Sequence, residues 1–173
     1  MTTNIPGLKL DFSKSPTIWK FLQDKSFVRG LIGPVGSGKS YACCAEIFKR
    51  AIQQKPSPRD GIKYSRFVIV RNSYPMLKTT TLKTWLELFP EHIYGPVHHS
   101  PPITHHIKLP SRDGAAGIDC EVIFLALDQP KDTRKLLSLE ITGAWINECR
   151  ELPKAVIDGT THRVGRYPSK EDG

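Results

Sequence analysis

The sequence predicts an α/β fold in which a mostly parallel sheet is flanked by helices. Three observations carry that expectation. Apolar runs of strand length alternate with amphipathic helical stretches along the chain. Phe67-Val68-Ile69-Val70 is a continuous β-branched and aromatic run, the pattern of a strand buried on both faces of a parallel sheet. A glycine-rich turn joins a short apolar run to a helix between residues 27 and 52.

The elements follow in order. Residues 1–24 read as an N-terminal arm, with a short helix after Ser15-Pro16 and a loose aromatic set of Phe12, Trp19 and Phe21. The aromatics either pack the arm onto the domain or supply a neighbour for a nucleotide base. Phe27–Ile32 is expected as a strand that ends in the glycine-rich turn. From Lys39, Ala42, Ala45, Phe48 and Ile52 step by three or four, and Glu46 lies four residues before Arg50, so a helix is expected there. Lys55 to Gly61, with two prolines and a glycine, ends it. After the Phe67–Val70 strand, a second helix follows Thr79-Thr80-Thr81 with Leu82, Trp85, Leu86 and Phe89 on one face, and it stops at Pro90. That stripe reads as core rather than as a stacking platform. Ile103–Leu109 is a further strand, Ser111-Arg112-Asp113-Gly114 a turn, and Cys120–Ala126 the strongest later strand. A short helical piece runs from Lys131-Asp132 to Leu137, Ile141–Ile146 is another strand, and a helix covers about Pro153 to Val164.

Composition narrows the classes. The chain has 173 residues, 39% of them hydrophobic and 24% charged, enough to build a core without disulfide or metal staples. Its longest apolar runs fall far short of the ~20 residues that span a bilayer, and its first residues show no signal-peptide pattern, so a soluble intracellular protein with no membrane partner is expected. Four cysteines at 43, 44, 120 and 149 include no C-x-x-C pair and fit a reduced chain. The net charge of +8 is uneven. Residues 1–83 hold 15 Lys and Arg against 4 Asp and Glu, whereas residues 84–173 hold 10 against 13. The N-terminal half therefore favours polyanions, and Lys78 and Lys83 either grip a nucleic-acid backbone or form an ordinary solvated surface.

Gly33-Pro34-Val35-Gly36-Ser37-Gly38-Lys39-Ser40 fits the phosphate-loop pattern G-x-x-x-x-G-K-[ST] at every fixed position. Glycines let the backbone fold round a phosphate, so that successive N–H groups and the positive end of the following helix face the anion. Gly33, Gly36, Ser37, Gly38, Lys39 and Ser40 are thus the candidate nucleotide-binding residues. Lys39 reaches the β- and γ-phosphate oxygens, and the Ser40 hydroxyl ligates Mg²⁺. A phosphate loop needs an acidic partner at the end of a neighbouring strand, and Ile141–Ile146 is followed by Asn147-Glu148. Glu148 is the candidate base. Asn147 takes the Mg²⁺-side position, directly or through a bound water, although an aspartate is the usual residue there. The chain has no Asn-Lys dipeptide of the kind that reads guanine, so ATP is the expected nucleotide.

Taken together, the loop at 33–40, Val70-Arg71-Asn72-Ser73-Tyr74, Trp145 to Pro153, and Arg163-Val164-Gly165-Arg166-Tyr167-Pro168 resemble the ATPase domain of tailed-bacteriophage terminase large subunits. The resemblance runs from about Pro16 to the end. It implies a RecA-like P-loop NTPase that uses ATP and Mg²⁺ to drive double-stranded DNA into a capsid. It also implies a homo-oligomeric ring on a portal protein, a small terminase subunit as partner, and a location in the host-cell cytoplasm. Carried over by position, Lys39 and Ser40 are the phosphate and Mg²⁺ residues, Asn147 the Walker B metal-side residue and Glu148 the base that activates water. Family members use a trans-acting arginine shortly before the acidic pair. Leu137 stands at that position here, leaving Arg134 and Arg71 as candidates. The family pattern continues with a strand carrying a coupling motif and a nuclease domain, and this sequence ends at Gly173 before either. An ATPase domain over 25–173, incomplete at its C-terminus, is therefore expected. A nucleotide- or DNA-binding fragment without turnover and a different P-loop NTPase are the alternatives.

His98, His99, His105 and His106 lie close together but make a poor zinc site, because adjacent histidines on a strand point to opposite faces. A solvated loop or hairpin is the plainer reading.

Overall fold

Residues 3–5, 8–112, 114–127 and 132–172 are described by the computed structural model. The first described strands, β1 (Thr3–Ile5) and β2 (Leu8–Leu10), pair antiparallel, which the sequence pattern did not disclose. Helix α1 (Pro16–Gln23) follows, started by Pro16 in its first turn. Then come α2 (Lys39–Ile52) and β3 (Lys63–Arg71). A continuous helical run comprises α3 (Tyr74–Met76), a π-helical turn (Leu77–Leu82) and α4 (Lys83–Leu88). The remaining elements are α5 (Glu91–Tyr94), β4 (Val97–His98), β5 (Ile103–Leu109), β6 (Ile118–Ala126), α6 (Thr133–Leu137), β7 (Gly143–Ile146), a 3-10 turn (Cys149–Glu151) and α7 (Lys154–Thr161). Lys131 and Asp113, placed by the sequence in a helical start and a turn, lie outside the described residues.

Five strands form one sheet in the order β4-β5-β6-β3-β7. Strand β3 is central and pairs parallel with both β6 and β7, whereas β5 pairs antiparallel with β4 and β6. The sheet is therefore mixed, with a parallel core and an antiparallel flank. Alternation along the parallel strands splits the interior into two layers. Phe67 and Ile69 of β3 and Val122 and Phe124 of β6 face α2 and α4, where Phe48, Trp85 and Phe89 are fully buried. The neighbouring residues Val68, Val70, Ile123 and Leu125 face Leu136 of α6 and Val156 of α7 on the other side. Truncating one of these buried aromatics to alanine costs roughly 3–5 kcal/mol by the usual behaviour of such sites.

The helical run 74–88 begins five residues before Thr79, where the sequence placed its start. Its π-helical stretch keeps Leu77, Thr81, Leu82 and Trp85 on the buried side and leaves Lys78, Thr79 and Thr80 exposed. Trp85 Nε1 donates to His105 Nδ1 at 2.9 Å, so the other ring nitrogen, Nε2, donates to the Gly95 carbonyl at 2.9 Å. His105 is thus a buried neutral core residue, and burial lowers its pKa. Among the described residues no group of three or more His, Cys, Asp or Glu could hold a metal ion. All four cysteines are free, and no described helix is long and apolar enough to cross a membrane.

The strand expected ahead of the glycine-rich turn does not form. Phe27–Ile32 is not a strand, and Phe27, Val28 and Ile32 are 70%, 72% and 96% exposed. The physical reason lies in its anchors. Arg29 donates to the carbonyls of Phe21 and Asp24, each at 3.0 Å, pairs with buried Glu46 at 2.9 Å and stacks on Phe21. These contacts tie the segment to α1 and α2 rather than to the outer edge of β7. The approach to that edge is occupied at Ile141, whose carbonyl accepts from the Gly165 and Arg166 N–H groups at 2.8 and 3.1 Å.

Candidate functional site

The site is built at the carboxyl end of the parallel strands. Lys63 Nζ, at the start of β3, donates to the Ile52 carbonyl at the end of α2 (2.6 Å), so α2 runs antiparallel to β3. Its first residue, Lys39, therefore lies at the end of the sheet where β3 and β7 finish, which is where ligands bind in open α/β sheets. Asn147 and Glu148 follow β7 at that same end, and the Asn147 N–H donates to Val70 O at 2.9 Å.

Residues 33–40 form the loop that the glycine pattern requires. Gly36 and Gly38 adopt φ of 79° and 78°, in the left-handed region that a side chain would resist. A Cβ on Gly38 would come within 3.3 Å of Ile18 Cδ1, because α1 packs Ile18 and Leu22 against Ala42 of α2. The first turn of α2 has no side-chain cap and no acidic residue, so its N–H groups are left for an anion. Lys39 Nζ reaches back over the loop, 2.7 Å from both the Gly33 and Pro34 carbonyls and 3.4 Å from Ser37 Oγ. The ammonium is thereby held at the loop, and Ser37 Oγ donates to Pro34 O at 2.8 Å. Ser40 sits on the first turn of the same helix. Cys43 beside it is no nucleophile, since burial pushes its thiol up to about 12.

Glu148 is the one non-glycine residue with positive φ among those described, at φ 54° and ψ 55°. Its side chain is exposed, with Arg150 Nε 3.9 Å from its carboxylate. The following 3-10 turn returns the Glu151 N–H to the Glu148 carbonyl at 2.9 Å. Beneath this turn lies Arg71, 6% exposed, whose Nη1 is 3.5 Å from both the Asn147 carbonyl and the Glu151 carboxylate. Arg71 thus lies between the two ends of the turn that carries Glu148. Asn147 Nδ2 donates to Thr81 Oγ1 at 2.9 Å. Ser40 and Asn147 offer only neutral oxygens, so a Mg²⁺ ion, usually held by one or two carboxylates together with substrate phosphates, would draw its counter-charge here from the phosphates.

The structure thus gathers Gly33, Gly36, Ser37, Gly38, Lys39 and Ser40 at one helix start, and places Asn147 and Glu148 at the same end of the sheet. Arg134 is not among them. It is exposed on α6, which covers the opposite face of the sheet from α2. A cavity of about 800 Å³ opens beyond β6, lined by Tyr74, Pro101, Pro102, Leu125, Lys135 and Leu139, and none of the predicted site residues lines it. Thr81 escaped the sequence reading. Its signal was a lone hydroxyl on the otherwise apolar stripe of Leu77, Leu82 and Trp85.

No protein-family model and no curated protein matches the chain. Solved structures do. The large terminase of a thermophilic bacteriophage superposes with a TM-score of 0.58 and 12% identity, covering 77% of this chain and 30% of that one. The ATPase domain of the Thermus phage P74-26 large terminase gives 0.54 and 13%, covering 84% of this chain and 57% of that one. A point mutant of that domain gives 0.50 and 14%, with 85% and 60% covered. The chain therefore has the fold of phage large terminase ATPase domains, and spans between 30% and 60% of the chains it resembles.

Proposed function

We propose that the chain is the ATPase motor domain of a viral DNA-packaging terminase large subunit. The observation that carries this reading is a complete G-x-x-x-x-G-K-S loop at the uncapped start of α2, on a terminase-type sheet, at the same end as Asn147-Glu148. In this reading the loop N–H groups of Gly36 to Ser40 bind the phosphates of ATP, and Lys39 leaves its carbonyl partners for the β- and γ-phosphate oxygens. Ser40 and Asn147 would hold Mg²⁺, which would neutralise the charge that builds on the phosphate oxygens. Glu148 orients a water and accepts its proton as the water oxygen bonds to the γ-phosphorus and the bond to the β-phosphate oxygen breaks, leaving ADP and phosphate. An arginine from a neighbouring subunit in a ring completes the charge balance; Arg134, exposed on α6, is a candidate for it. The basic N-terminal half contacts double-stranded DNA through its phosphates. Portal protein and a small terminase subunit are the proposed assembly partners, in the cytoplasm of an infected cell.

Steady-state hydrolysis of Mg·ATP by the wild-type chain and by Glu148→Gln, each with linear double-stranded DNA present, tests the reading. Turnover in the wild type and a loss of at least about a hundredfold in the variant, with nucleotide binding kept, is the expected outcome. Equal turnover in the two chains overturns it. A second reading, nucleotide binding without turnover, is favoured by the unpaired Phe27–Ile32 segment ahead of the loop. Saturable Mg·ATP binding by a wild-type chain that releases no phosphate would select that reading.

A further inference from the structure

We infer that the exposed apolar segment Phe27–Ile32 of one copy docks in the cavity beside α6 of a second copy, so that copies join head to tail. The inference rests on the ring reading given above and supplies a contact for it. Phe27, Val28 and Ile32 are 70%, 72% and 96% exposed, three large apolar side chains on one short segment. A single exposed apolar residue needs no explanation, but a bare cluster of this kind marks an interaction site. Arg29 anchors the same segment to the carbonyls of Phe21 and Asp24 and to buried Glu46, so the apolar side chains are presented from a fixed backbone.

A receptor for such a cluster exists on the same molecule. The cavity of about 800 Å³ is walled chiefly by apolar groups, among them Tyr74, Pro101, Pro102, Leu125 and Leu139, and falls in the size range of sites that enclose a ligand. Segment and cavity cannot meet within one chain. The segment is tied to α2, which covers the Phe67 and Ile69 face of the sheet, whereas Ile123, Leu125 and Leu139 at the cavity belong to the opposite face. A patch that fits a pocket elsewhere on the same molecule makes a heterologous contact, which closes into a ring or runs on as a filament. Charge favours this pairing over segment against segment. Residues 1–83, which carry the segment, hold 15 Lys and Arg against 4 Asp and Glu, and residues 84–173, which supply most of the cavity wall, hold 10 against 13. A two-fold contact through the segments would press two strongly basic halves together, whereas the head-to-tail contact sets a basic half against an acidic one. It also sets α6, with Arg134 and the 53% exposed Leu137, beside the neighbour's loop, because Ile32 runs directly into Gly33.

Sedimentation velocity of the intact chain with Mg·ATP, over a range of protein concentrations, tests the contact. Wild type should associate, and Phe27→Ser combined with Val28→Ser, both at exposed positions, should raise the concentration for half-association at least tenfold. Ser138→Trp, which fills the cavity from an exposed position on its rim, should do the same. Mixing the two variants is the sharpest arm. One keeps its segment and the other its cavity, so the mixture should regain association but stop at a one-to-one dimer. Circular dichroism checks that each variant is folded; should Ser138→Trp not fold, Tyr74→Asp blocks the same cavity. Binding of a fluorescent ATP analogue to wild type judges the ATPase reading separately. A wild type that stays monomeric at every concentration refutes the ring reading and the inference together. Wild-type association that either variant leaves unchanged, or a mixture of the two that stays monomeric, overturns the inference alone.

Discussion

Glu148 provides a prediction that separates stability from function at one residue. It holds φ 54° and ψ 55°, a conformation that costs a non-glycine residue about 1–2 kcal/mol. Replacement by glycine removes that cost but adds about 0.5–1 kcal/mol of unfolded-chain entropy. The side chain forfeits little else, since it is exposed and its Arg150 contact is a long surface pair. The net expectation for Glu148→Gly is stabilisation by about 0.5–1 kcal/mol, with ATP turnover abolished. Glu148→Ile, β-branched in the same strained region, should be destabilised relative to wild type. Urea unfolding reads both: with a slope near 2 kcal/mol/M, the glycine variant moves its midpoint up by about 0.3–0.5 M. A midpoint for Glu148→Gly lower than wild type by a similar margin would refute the argument that the turn is strained around Glu148. The strain would then not be the consequence of placing a carboxylate at this point, as functional sites often require.

Further predictions concern the fold that carries the site. A Cβ on Gly143 would lie 2.9 and 3.1 Å from two ring carbons of Phe67, which is 3% exposed and cannot swing away, so Gly143→Ala should lose roughly 1–3 kcal/mol in urea unfolding. Phe67→Leu in the same chain should recover part of that loss. His105, with its pKa lowered by burial from 6.5, is neutral in the folded state, whereas the unfolded chain takes up a proton as pH falls through about 6.5. Stability should therefore drop as pH falls below that point, and His105→Gln should flatten the drop in melting temperature measured between pH 7 and pH 5. Gly38→Ala places a side chain at φ 78° and against Ile18, and should weaken nucleotide binding as measured by fluorescence titration while leaving the sheet's circular dichroism unchanged.

Most of the parallel core was legible because its signals are local. The runs 67–70 and 120–126 are apolar without a break, and the helix after Lys39 shows its face at three- and four-residue steps. The turn ahead of α2 was legible because Gly36 and Gly38 take up left-handed backbone that a side chain resists. What was hidden depends on partners. Phe27–Ile32 has the composition of a strand, but strands are made by neighbours, and Arg29 bonds this segment to α1 and Glu46 instead. The antiparallel direction of β5 is set by its pairing with β6, not by its residues. His105 reads in the sequence as one of four equivalent surface histidines, and only the fold brings Trp85, twenty residues away, to donate to it. Arg71 and Thr81 follow the same pattern. Each is visible as a residue type, but its role comes from Asn147 and Glu151, which only the fold brings near.

The central claim is that residues 33–40 form a phosphate site served by Lys39. Its most direct test is the affinity for ATP and ADP in the presence of Mg²⁺, measured by calorimetry on wild type and on Lys39→Ala. Wild type should bind both nucleotides with one-to-one stoichiometry, and Lys39→Ala should lose that affinity by tenfold or more, about 1.4 kcal/mol or greater, because a charge-assisted contact to phosphate is removed. A wild-type chain that binds neither nucleotide, or a Lys39→Ala variant that binds both as tightly as wild type, would contradict it.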